Sequence, residues 1–105
     1  MSYGLSRKHY SIGYAEEIIL QSNKKDLIFT IHSFKRESKR NISEEYVKKA
    51  ILELDYLDIT QDGSNEFKLY YPSETQANKE LIIVIAINDD EKIIIQSVWE
   101  EKRYN

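Results

Sequence analysis

The hydrophobic positions change their period once, near residue 56, and divide the chain into a helical half and a stranded half. Before that point Val47, Ala50, Ile51 and Leu54 recur at the i, i+3, i+4, i+7 spacing of a buried helical stripe, with Lys48, Lys49 and Glu53 off it. Ser43 stands ahead of Glu44 and Glu45 as a cap whose hydroxyl accepts from a free backbone N–H, while the two carboxylates face the positive end of the helix dipole. A shorter helix is expected over residues 14–21, with Tyr14, Ile18 and Leu20 or Gln21 near one face and Ser22-Asn23-Lys24-Lys25 closing it. Leu27 to Thr30 fits either a short strand or the lead-in to a helix that begins near His32.

After residue 56 the alternation moves toward two. Tyr56 to Thr60 reads as a strand, residues 61–65 as a turn, and Glu66 to Tyr71 as a second strand with Phe67, Leu69 and Tyr71 on one face, ended by Pro72. The run Leu81-Ile82-Ile83-Val84-Ile85-Ala86-Ile87 has the continuous apolar character of a central strand buried on both faces. Asn88 to Lys92 is a hairpin loop, Lys92 to Trp99 the last strand, and residues 100–105 a charged tail. The expected architecture is α+β, with N-terminal helices packed on one face of a mostly antiparallel sheet of about four strands. Residues 1–105 form one domain, with an arm and helix over 1–25, a core over 26–99 and the tail beyond.

Composition narrows the chemistry. A chain of 105 residues with 41% hydrophobic content suits a single modest core. There is no cysteine, which removes disulfides and thiolate metal sites and is compatible with a reducing, cytoplasmic compartment. Two histidines, at positions 9 and 32, make an all-protein zinc site improbable. Asp89-Asp90-Glu91 is a poor metal candidate because consecutive residues of a hairpin rarely converge on one ion; no metal and no cofactor are expected. No apolar run approaches the roughly 20 residues of a membrane span. The net charge of −3 conceals an asymmetry: residues 1–50 hold ten Lys or Arg against six Asp or Glu, and residues 51–105 hold five against twelve.

The cations are densest in one stretch, residues 31–42. On a helix, His32, Arg36 and Arg40 stand four apart on one face, flanked by Lys35 and Lys39. Like charges so spaced cost each pair a few tenths of a kcal/mol in an isolated helix, so an anionic ligand is a natural compensation. The plainer alternatives are a partly buried histidine with a local hydrogen bond, arginines paired with the acidic second half, and lysines that are ordinary surface.

The order His-x-x-x-Arg-x-x-x-Arg-x-Ile, followed at once by Ser-Glu-Glu-x-Val and then by short strands, resembles a bacterial domain-of-unknown-function family. That family has a histidine and two arginines ahead of an Ile-Ser/Thr-x-x-x-Val helix. It is similar to the BrnT toxins and, more distantly, to the RelE/ParE toxins and the barnase, EndoU and colicin group of ribonucleases. The match rests on His32, Arg36, Arg40, Ile42, Ser43 and Val47, with the strand pattern extending it over roughly residues 28 to 99 and leaving the first 25 residues outside.

The resemblance implies a small endoribonuclease toxin that needs no cofactor, because the RNA 2′-hydroxyl is an internal nucleophile. His32 would then be base or acid, and Arg36 and Arg40 would hold the phosphate and its developing charge. Lys35 and Lys39 would add substrate contacts. Small toxins of this architecture often place further groups on the last strand and tail, where Ser97, Trp99, Lys102, Arg103 and Tyr104 stand here. An aromatic ring there is a platform for an unstacked base, although a Trp such as Trp99 is more often part of the core. Expected partners are RNA and a cognate antitoxin or immunity protein, and the expected place of action is the cytoplasm, either of the producing cell or, for a toxin delivered as the terminal domain of a larger secreted effector, of a target cell. Two other readings remain open: a non-catalytic RNA- or protein-binding member of the same fold, and an acidic immunity- or antitoxin-type partner protein that binds through its negative half.

Overall fold

The computed structural model describes residues 10–23, 26–30, 42–74 and 76–102. Helix α1 spans Ile12–Gln21, strand β1 Leu27–Phe29, helix α2 Glu44–Glu53, and strands β2 Asp58–Gln61, β3 Glu66–Pro72, β4 Lys79–Ile87 and β5 Ile93–Lys102. The sheet order is β1-β5-β4-β3-β2. β2 to β5 form an antiparallel meander, and β1 joins it beside β5 in parallel. The fold is α+β with five strands, one more than the periodicity indicates, and the ambiguous stretch after residue 26 resolves as the added edge strand.

Both helices begin as their sequences dictate. Ser11 Oγ accepts from Tyr14 N at 3.1 Å, and Ser43 Oγ accepts from Tyr46 N at 3.1 Å, each satisfying a backbone donor that the first turn leaves without a partner. α2 buries Tyr46, Val47, Ala50 and Ile51. α1 buries Ala15, Ile18 and Ile19, whereas Tyr14 is 36% and Leu20 79% exposed, so its inward face is rotated from the one read in the sequence. Tyr10, placed in the arm by its sequence context, is buried and joins the core.

The two helices pack on one face of the sheet, in a single cluster with Phe67, Leu69 and Tyr71 of β3, Leu81, Ile83, Ile85 and Ile87 of β4, and Ile93, Ile95 and Val98 of β5. β4 is the central strand. Its outward residues Ile82 and Ala86 are also buried, in keeping with the apolar run. β5 pairs with β4 through a bulge: Ile85 faces Ile95 and Val84 faces Ser97, so Gln96 is the extra residue. That residue resets the alternation. Ile93 and Ile95 point to the helices before it, Val98 and Glu100 after it, and Ser97 and Trp99 turn to the opposite face. β5 continues to Lys102, so Glu100 and Glu101 belong to the strand rather than to a tail.

Candidate functional site

One end of the sheet gathers polar groups from three elements. β3 finishes there at Pro72, β4 begins at Lys79 and β5 finishes at Lys102. Glu100, opposite Leu81 on the helix side of β5, is half-buried. Ser73, just past β3, donates to Glu100 Oε2 at 2.6 Å. Tyr46, in the first turn of α2 and 8% exposed, donates to the same oxygen at 3.2 Å. The two hydroxyls are held in turn by backbone donors, Gln76 N to Ser73 Oγ at 3.2 Å and Glu74 N to Tyr46 OH at 2.8 Å. A Lys49–Glu74 ion pair at 2.8 Å ties α2 to the loop after β3 on the outside of this cluster.

The electrostatics follow from burial. The Tyr46 phenol is pushed above its ordinary value mainly because its site is poor in solvent, which keeps it a proton donor at neutral pH. Among the described residues the ion pairs are Lys48–Glu45, Lys49–Glu74 and Lys92–Asp26, so Glu100 has hydroxyl partners and no cationic one. Both its bonds end on Oε2. A carboxylate oriented through one oxygen keeps the other open to a ligand.

β1 is parallel to β5 and therefore runs from Leu27 to Phe29 toward this same end. Ile42 is buried in the core two positions before α2, whose first turn carries Tyr46 into the cluster. Lys48 Nζ lies 5.9 Å from the centre of the Phe29 ring, which joins α2 to the exit of β1. The chain thus heads for this end at Phe29 and is described again from Ile42, just ahead of the first turn of α2. His32, Lys35, Arg36, Lys39 and Arg40 lie outside the described residues, as do Arg103 and Tyr104.

Ser97 and Trp99 are described, and the bulge separates them from Glu100. They share the sheet face away from the helices, opposite Val84 and Ile82. Trp99 is half-buried, with Lys68 Nζ 5.8 Å from its ring centre and its indole N–H donating to Glu101 Oε1 at 3.1 Å. Among the described residues no three His, Asp or Glu side chains converge on a metal position, and no helix is long and apolar enough to cross a membrane.

Sequence reasoning missed Tyr46, Ser73 and Glu100. Tyr46 reads as a helix position, Ser73 as loop and Glu100 as tail, and nothing in their spacing links three residues 27 and 54 positions apart. Charge is segregated as well. The described residues carry six Lys or Arg against seventeen Asp or Glu, a net −11, and the remaining stretches carry nine against one. No protein-family model matches the chain, and neither the curated proteins nor the solved structures contain a significant match to it.

Proposed function

We propose that the chain is a small endoribonuclease, working by metal-independent acid–base chemistry at the end of the sheet where Tyr46, Ser73 and Glu100 meet. His32 exchanges a proton with the reacting oxygens, and Arg36 and Arg40 hold the phosphate. One observation carries this reading: the flanks of the most cationic segment, Phe29 on one side and Ile42 on the other, belong to elements that lead to the end of the sheet where an oriented carboxylate stands. A titratable imidazole, guanidinium groups and a carboxylate make up the set that transesterification of RNA requires.

Induced expression of the wild-type chain and of His32→Ala in bacteria tests it, with growth and total RNA followed on a gel and folding of both proteins verified by circular dichroism. Wild type arrests growth and leaves discrete RNA fragments, and the folded variant does neither. Unchanged RNA under both proteins refutes the proposal.

The acid excess of the described body supports a second reading, an acidic protein that binds a basic partner, since such a surface attracts cationic protein and repels nucleic acid. On that reading neutralising acidic residues weakens binding, while His32→Ala leaves it intact.

A further inference from the structure

The face of the sheet turned away from the helices is built like an interior. An antiparallel sheet with one wet face carries polar residues at its outward positions. Here that rule fails at the centre. After Glu80 the outward positions of β4 are Ile82, Val84 and Ala86, and in the ladder Ile82 stands between Tyr70 of β3 and Trp99 of β5. Ile94 of β5 stands beside Ala86, and Ile28 of β1, 40% exposed, stands beside Ile94. Among the described residues no helix covers this face, since α1 and α2 both pack on the other. Charge surrounds the apolar band: the described ionisable residues of the face are Asp58 on β2, Glu66 and Lys68 on β3, Glu80 on β4 and Glu101 on β5, four acids against one cation. The one cation is drawn inward, with Lys68 Nζ 5.8 Å from the centre of the Trp99 ring. An apolar centre with two large aromatic residues inside a charged rim has the anatomy of a protein interface.

We propose that this face is the docking surface for a basic amphipathic helix of a partner protein. Its apolar stripe lies on Tyr70, Ile82, Val84 and Trp99, and its lysines or arginines meet Asp58, Glu66 and Glu101. The assignment rests on the second reading above, in which the acidic body binds a basic protein, and gives that reading a place. Charge selects the occupant: a rim of this sign attracts cationic side chains and repels nucleic acid. A second copy apposed through the same patch would set acid against acid. Size agrees. From Tyr70 to Trp99 the band crosses two strand spacings, about 10 Å, which is about the width of one helix. Along β4 it runs from Ile82 to Ala86, about 13 Å, the length of about nine helical residues.

Trp99 is the only tryptophan of the chain, so its emission reports on this face in the unmodified protein. The probe is a synthetic peptide of about 14 residues with leucines at the i, i+3, i+4, i+7 positions, lysines elsewhere and no aromatic residue. The same peptide with glutamate for lysine and a single-stranded uridine oligonucleotide are the comparisons. In about 0.15 M salt, where distant charges are screened, the lysine peptide shifts the emission saturably to shorter wavelength and neither comparison does. Neutralising the rim with Asp58→Asn, Glu66→Gln and Glu101→Gln together weakens binding about tenfold. Glu17→Gln, Glu53→Gln and Asp89→Asn together, at exposed acids off this face, weaken it less than about threefold. The wild-type emission carries the test if the rim variant does not fold. Binding of the lysine peptide with the emission unmoved, or weakened equally by both sets of substitutions, overturns the surface and leaves the basic-partner reading standing. No binding of the lysine peptide overturns both. A shift produced by the oligonucleotide, or by raising the protein concentration alone, overturns the proposal and gives the face to RNA or to a second copy.

Discussion

Tyr71 places a hydroxyl in the core with no hydrogen-bond partner among the described residues, and its ring meets Tyr56 edge-on at 6.4 Å. Burial is the main cause that raises its pKa well above the ordinary 10.0, and the Tyr56 phenol, half-buried and bonded to Glu16, is pushed up to about 12 by partial loss of solvent and by that bond. A phenol whose folded pKa is raised contributes stability that is intact below the unfolded value and is lost as pH rises beyond it. Stability to urea therefore falls above about pH 10, the ordinary phenol value. Tyr71→Phe should change stability at pH 7 by no more than about 1 kcal/mol, since no hydrogen bond is lost, and should flatten the alkaline fall without abolishing it, because Tyr56 still titrates. A steep fall unchanged by the substitution would sink this account. Asn65 is the opposite case, a buried side-chain amide with a partner: its Nδ2 donates to Ile87 O at 2.8 Å, and its backbone carbonyl accepts from Ile87 N at 3.0 Å.

At the scale of the element, β5 decides the most. Its inward and outward residues exchange faces at Gln96, and a strict alternation from Ile93 onward would have turned Ser97 and Trp99 toward the helices and Val98 and Glu100 away. Deleting Gln96 removes the extra residue, so that Ser97 follows Ile95 in regular alternation and Val98, Trp99 and Glu100 keep their faces and their partners on β4; stability should change by no more than about 1 kcal/mol, as thermal unfolding and the near-ultraviolet signal of Trp99 measure. A deletion variant that loses the Trp99 signal would mean that the bulge does more than decide which face each later residue takes. Periodicity made the helix over Glu44–Glu53 and the central strand legible, because each buries a stripe that repeats at its own period. It left the polar cluster illegible, because one unpaired residue in a ladder has no signature in a strand already rich in mixed positions.

For the whole molecule, the separation of charge sets how RNA is met on the proposed reading. The body at −11 repels phosphate, and the segment 31–41 holds four Lys or Arg. Four cations on a single strand correspond to a slope of about −3 in log Kobs against log salt. A measured slope near that value assigns the contact to this segment, and Lys35→Gln with Lys39→Gln should make it shallower by about 1.4. A slope near zero would remove phosphate as the ligand and favour the basic-protein reading.

The sequence by itself determined the class of the fold, the two helices and the Ser43 cap of the second, the antiparallel meander with its buried central strand, and the concentration of cations around His32. All of these are local or periodic properties, recorded in the residue types themselves. The tertiary structure decided the strand beside β5, the rotation of α1, the faces of Ser97, Trp99 and Glu100, and the meeting of Tyr46 with Ser73. Those depend on pairing between distant segments, where a one-residue shift of register reverses which side chains share a face.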